Sequence, residues 1–158
     1  MPRARERLRT TLLAAGPLSS LLYVVFTDGI AASHWDGYRR TEQMVSELFA
    51  VGSPGYGVLA AFTWLYTVLC TAFGVGAWVS VRGIRPMRIG SALLVAYGLW
   101  NIMGTIYPLR LGDDTSIPLH IVATNIQLAL MVASMCFMAP GSMAGCGPIR
   151  WSLSLFPP

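Results

Sequence analysis

A chain of 158 residues that is 54% hydrophobic and 11% charged is not built for a water-facing surface, since soluble domains usually carry about 25% charged residues. With a mean hydropathy of +0.58, the composition indicates an integral membrane protein. The formal net charge of +4 comes from 11 basic residues, all Arg, and their placement between apolar runs argues for membrane topology and against a nucleic-acid partner.

The first nine residues form a basic head with Arg3, Arg5, Arg7 and Arg9 around Glu6. Thr10 to Thr27 then contains no charge and supplies most of a transmembrane helix. Gly16-Pro17 is expected to kink that helix, and its continuation to Ala32 puts Asp28 near the outer end. A signal peptide is the rival reading, because IAAS ahead of His34 has the small residues of a cleavage site. The apolar run is long for a signal and holds a central proline, so the first helix is expected to be retained.

The stretch DGYRRTEQMVSELFAVGSPGY, residues 36–56, is the one long polar insertion and holds Asp36, Glu42 and Glu47. A helix is predicted over 41–50. Stepping 100° per residue puts Met44, Val45, Leu48 and Phe49 on one side and Gln43, Ser46 and Glu47 on the other. Thr41 is the expected N-cap, with Glu42 in the first turn. GSPGYG breaks that helix, and Ser53 and Pro54 suit the N-cap and N1 of the next. A short amphipathic helix with a strong break behind it fits the membrane interface.

The second span lies within 54–81, followed by the turn VRGIRPMR. The third covers about 89–108 and ends at Pro108, and LRLGDDTSI forms a polar loop. The fourth runs over about 118–139 and is closed by Pro140-Gly141. The expected fold is therefore all-α: an integral membrane helical bundle of four transmembrane helices (about 10–32, 54–81, 89–108 and 118–139) plus the short interfacial helix, in one domain over 1–158. The head, the VRGIRPMR turn and the tail hold Arg82, Arg85, Arg88 and Arg150 besides the four head Arg residues, whereas the other two loops hold Arg39, Arg40 and Arg110. The positive-inside rule then puts both termini in the cytoplasm of an inner or plasma membrane. Every acid except Glu6 falls on the outer side, as do His34 and His120.

Polar residues recur at helical spacing within two spans: Tyr97, Asn101 and Thr105 on the third, and His120, Thr124, Gln127 and Met131 on the fourth. Asn101 and Thr124 both sit about 10 Å below their outer helix ends, at ~1.5 Å per residue, so the two stripes are placed to face each other. Interhelical hydrogen bonding is the simpler reading for Asn101 and Gln127. An ionisable residue inside a span, such as His120, is a candidate site by default. Cys70, Cys136 and Cys146 form no metal or disulfide pattern, and Gly74 and Gly76 are read as small packing residues. One haem between His34 and His120 lacks helical support at His34. No metal and no cofactor is expected.

The segment GYRRTEQMVSELFAVGSPGY resembles the "GY…Q.iSELga.gsP" signature of the domain of unknown function 998 family of multi-pass membrane proteins. GTIYPL ahead of PLHIVATNIQLALMVASM is similar to the family's histidine-bearing helix, and GPIRWSLSL to its "G..fR.yS" approach to a further helix, with Trp151 at the aromatic position. The resemblance implies that Ser46, Glu47 and His120 occupy the family's recurrent polar positions. It also implies one or two further spans beyond the point where this chain stops, so that a shortened bundle or closure by oligomerisation is expected.

Three functions stay open. The first is a polar pocket near the outer leaflet that handles a small molecule or lipid, with candidate binding residues Ser46, Glu47, His120, Asp28, Asn101, Thr124 and Gln127. The second is an intramembrane hydrolase using Ser46 and His120, with Glu47 and Asp28 or Asp113 beside them, or a bound metal. The third is a structural or regulatory subunit. The partners expected are the lipid bilayer and a second copy or another membrane protein.

Overall fold

The computed structural model describes residues 2–81 and 83–139. Arg82, Pro140-Gly141, Cys146, Arg150 and Trp151, on which parts of the charge count, the fourth-span boundary and the family likeness rest, lie outside them. The described residues form helices α1 (Pro2–Val24), α2 (Val45–Leu48), α3 (Tyr56–Ser80), α4 (Arg85–Trp100), α5 (Met103–Ile106) and α6 (Ile117–Met138). Helix α1 runs on through a π-helical stretch, Val25–Ala31, and a 3-10 turn, Ala32–His34. Four helical segments are long and apolar enough to cross a membrane: Arg3–His34, Tyr56–Ser80, Arg85–Ile106 and Asp114–Met138. The chain is thus an all-helical, multi-pass membrane protein.

Helix α1 packs on α3, α3 on α4, and α4 on α6, while α1 and α6 do not pack closely on each other. The result is an open row. Glycine sets the spacing along it. A Cβ on Gly76 would lie 2.8 Å from the Leu12 side chain, one on Gly74 2.7 Å from the Val95 nitrogen, and one on Gly98 2.6 Å from the Thr71 nitrogen. Small residues at such crossings let backbones approach where no hydrophobic effect drives association, which is the role expected of Gly74 and Gly76. At the opposite end from α2, the Arg88 guanidinium sits over the Trp78 ring, 4.8 Å from its centroid, and pins the α3–α4 turn.

The tightest core lies at the other end. Ala31, Leu48, Leu59 and Phe62 are buried together, and the Phe26 and Phe62 rings stack at 4.5 Å. Leu48 is the anchor by which α2 is held down between the π-helical end of α1 and α3.

Helix α2 is much shorter than the 41–50 helix predicted. Residues 39–43 form a turn of their own, in which the Glu42 and Gln43 amides donate to the Arg39 carbonyl and the Gln43 side chain accepts from the Arg39 amide at 2.8 Å. Thr41 caps nothing. Met44 is extended and is the N-cap of α2, and the Glu47 carboxylate accepts its amide at 3.0 Å. Side-chain bonds within 39–43 thus outcompete one continuous helix. The start of α3 is also displaced from 54. Gly55 is its N-cap, because the buried Ser53 hydroxyl turns back to the Leu48 carbonyl at 2.7 Å and satisfies the end of α2 instead.

Helix α4 itself ends at Trp100, and the third span runs on through α5 to Ile106, near the predicted end at about 108. The Asn101 side chain donates through Nδ2 to the carbonyls of Tyr97 and Gly98 at 3.1 and 3.2 Å, and the chain tightens into a turn before α5. Two loops then meet: the Val51 amide donates to the Leu109 carbonyl at 2.8 Å and the Leu111 amide to the Val51 carbonyl at 3.1 Å.

Candidate functional site

The open side of the row, between α1 and α6, encloses a cleft of about 710 Å³ beneath α2. Its floor and walls are aromatic and apolar: Tyr23 from α1, Phe62 and Tyr66 from α3, and Tyr97 from α4. Their order follows from packing. The Tyr23 and Tyr66 rings lie 5.6 Å apart and those of Phe62 and Tyr66 5.7 Å apart, and the Tyr66 and Tyr97 hydroxyls share a hydrogen bond of 3.0 Å. The Tyr66 and Tyr97 hydroxyls are therefore satisfied by each other.

The two polar stripes do face each other. Gln127 Nε2 donates to Asn101 Oδ1 at 2.6 Å, Trp100 Nε1 donates to the Ala123 carbonyl at 2.9 Å, and the Ser134 hydroxyl donates to the Gly90 carbonyl at 3.0 Å. These bonds tie α4 to α6 along its length, as interhelical polar contacts in membranes do.

The upper end is different. Ser46 on α2 and His120 and Thr124 on α6 line the cleft, and an adjoining outer cavity of about 280 Å³ shares all three. His120 Nε2 is buried without a hydrogen-bond partner. No protein hydrogen bond reaches the Ser46 or Thr124 hydroxyls among the described residues.

The candidates thus separate. Ser46, His120, Asn101, Thr124 and Gln127 are brought to the one cleft. Glu47 lines the outer cavity instead, and its second carboxylate oxygen accepts from Gln43 Nε2 at 3.1 Å, so it holds α2 in shape. Asp28 lines neither cavity. It pairs with Arg40 at 3.7 Å, whose guanidinium also donates to the Asp28 carbonyl at 3.0 Å, and so secures the loop before α2 to α1. No Glu47–His120 ion pair and no Ser46–His120 hydrogen bond occurs among the described residues. Asp113 is occupied by the Thr115 amide and hydroxyl, which hold its carboxyl below the usual carboxylate range. Burial, then the carboxylates of Glu47 and Asp28, push the Tyr38 phenol above its ordinary range. His34 turns its Nδ1 to the Ile30 carbonyl at 2.7 Å, and no group of three metal-ligating side chains occurs among the described residues.

Sequence reasoning missed the aromatic floor. Tyr23, Phe62 and Tyr66 look like ordinary membrane-span residues, and only the Tyr97 stripe hinted at a partner for them.

Neither the curated proteins nor the solved structures offer a match to this chain. The family model described as "Protein of unknown function (DUF998)" matches residues 17–157, a stretch that takes in the whole cleft, and the chain belongs to that family.

Proposed function

We propose that this protein binds an amphipathic small molecule or lipid in the cleft between α1 and α6, with its polar head at Ser46, His120 and Thr124 and its apolar part against the aromatic floor. The observation that supports this reading most is His120 Nε2, buried and unpartnered at the upper end of the cleft, where the Tyr66–Tyr97 and Asn101–Gln127 groups lower down bond to each other. The other two buried unpartnered groups among the described residues, the Thr67 and Thr71 hydroxyls on α3, are not among the cleft-lining residues. A buried polar atom without a partner is costly, and a bound head group supplies one. The charge distribution supports an orientation with both termini in the cytoplasm, so the upper end faces the outer leaflet. Val24 on α1 and Leu128 on α6 are 55% and 57% exposed and both line the cleft; they flank a lateral opening toward the acyl chains.

Hydrolysis has less support, since Asp28 and Asp113 are committed elsewhere and no carboxylate among the described residues orients the His120 ring. The test is lipid analysis of protein purified in mild detergent, compared with Ala60→Trp, which fills the cleft from α3. The wild type should retain an amphiphile that the variant loses at unchanged helicity. Equal retention by both would overturn the reading.

A further inference from the structure

The chemistry of the lining narrows what the cleft takes. Among the described residues, none that lines it is Asp, Glu, Lys or Arg. The outer cavity that adjoins it at Ser46, His120 and Thr124 does carry charge, but of one predominant sign: Glu47, Asp113 and Asp114 stand against Arg110 alone. The start of α6 is a poor anion site: Pro118 in its first turn donates no amide, and Asp113 and Asp114 lie in the turn just ahead of it.

Phosphate and carboxylate head groups are held by Arg or Lys forks or by free amides at a helix start. A phosphate at the upper end of this cleft would lose its water, find no cation in the described lining, and meet in the adjoining cavity three carboxylates against the one guanidinium of Arg110. A cationic head meets the opposite difficulty. The outer carboxylates attract it, but no anion accompanies it into the cleft, and two of the three, Glu47 and Asp113, already accept hydrogen bonds from their own loops. An uncharged head escapes both costs. The upper end supplies it with two hydroxyls that donate or accept and an imidazole that does either, according to its tautomer.

Resting on the cleft reading above, we propose that the occupant is an uncharged amphiphile whose head carries hydroxyl or carbonyl oxygens, such as a diacylglycerol or a quinone, and that the cleft excludes anionic phospholipids. The absence of charge in the lining is the selectivity device. His120 is the head-group contact that spans the boundary between the cleft and the outer cavity.

The experiment uses the full chain in phosphatidylcholine nanodiscs containing, in parallel, diazirine-tailed diacylglycerol, a diazirine-tailed quinone, diazirine-tailed phosphatidylglycerol or a diazirine-tailed alkylammonium. After illumination, labelled peptides of α1 and α6 are quantified. The two uncharged probes should label cleft residues at least about tenfold more than either charged probe at equal mole fraction, a ratio that corresponds to a modest binding preference. Thr124→Arg, at an exposed position that lines both cavities, should shift the preference toward phosphatidylglycerol. Cleft labelling by a charged probe at equal or higher yield, or an unchanged ratio in Thr124→Arg, would overturn the uncharged class and leave the cleft as a binding site. Labelling confined to the outward surfaces with every probe would overturn the binding reading itself.

Discussion

Helix α6 buries only 6% of its most apolar stretch within the described residues, compared with 28% for α3, so its attachment depends strongly on its packing against α4. The Gln127–Asn101 bond is the shortest side-chain tie between them, at 2.6 Å. Changing Gln127 to Leu keeps the approximate volume and deletes the donor. Asn101 is 9% exposed, so its Oδ1 is left largely without water. An interhelical hydrogen bond in a membrane contributes about 0.6 kcal/mol on average and at most about 1.7, whereas stranding a buried acceptor costs about 1–3 kcal/mol. Gln127→Leu should therefore destabilise by about 1–2 kcal/mol. Asn101→Leu loses the same bond together with those to the Tyr97 and Gly98 carbonyls. The double variant strands nothing across the interface, so it should cost less than the sum of the two, with a coupling of about 0.6–1.7 kcal/mol. Reversible unfolding in mixed micelles, titrated with a denaturing detergent, measures all four corners of the cycle. Additivity within about 0.3 kcal/mol would refute the argument and show that apolar packing alone holds α6.

Reporter fusions after Arg9, Glu42, Arg85 and Asp113 should read inside, outside, inside and outside; an inside signal at Glu42 would reverse the orientation and the proposed leaflet. Gly98→Ala places a methyl group 2.6 Å from the Thr71 nitrogen, so α3 and α4 must separate. It should cost about 1–3 kcal/mol by detergent unfolding, whereas Gly104→Ala, with nothing within 4 Å of the added Cβ, should cost none. Glu47→Ala removes the acceptor for the Met44 amide and for Gln43. That should weaken α2 by about 1 kcal/mol and speed hydrogen exchange at Met44, with Glu47→Gln intermediate; unchanged exchange would mean that Glu47 does not hold α2.

The spans were legible because uncharged runs of spanning length, bounded by Arg clusters and Pro, allow few other structures in lipid. The facing polar stripes were legible for the same reason: Asn101 and Gln127 cannot be left toward hydrocarbon, and helical spacing says which residues share a face. The region around α2 was not. Whether Thr41 or Met44 starts the helix depends on where the Gln43 and Glu47 side chains turn, and both have local acceptors or donors in either arrangement. Ser53 shows the same ambiguity in a single hydroxyl, which suits an N-cap by type but closes the preceding helix in fact. The pairing of Val51 with the loop after α5 had no signal at all, since two backbone segments met without any side-chain pattern to mark them.

Those illegible contacts decide how the cleft is covered. Helix α2 is fixed at three places: Leu48 is buried in the core at 1% exposure, Val51 is bonded to the Leu109–Leu111 loop, and Arg40 joins the preceding loop to Asp28 on α1. Lifting it would break all three together, so α2 acts as a fixed roof that presents Ser46 downward beside His120 and Thr124. Among the described residues the opposite side has no such ties, because α1 and α6 do not pack closely on each other and exposed Val24 and Leu128 border the gap. On the proposed reading a ligand therefore moves sideways from the bilayer, its chain already in hydrocarbon, and only its head exchanges water for the unpartnered groups under the roof. That route needs no charged gate, in keeping with a lining that has none.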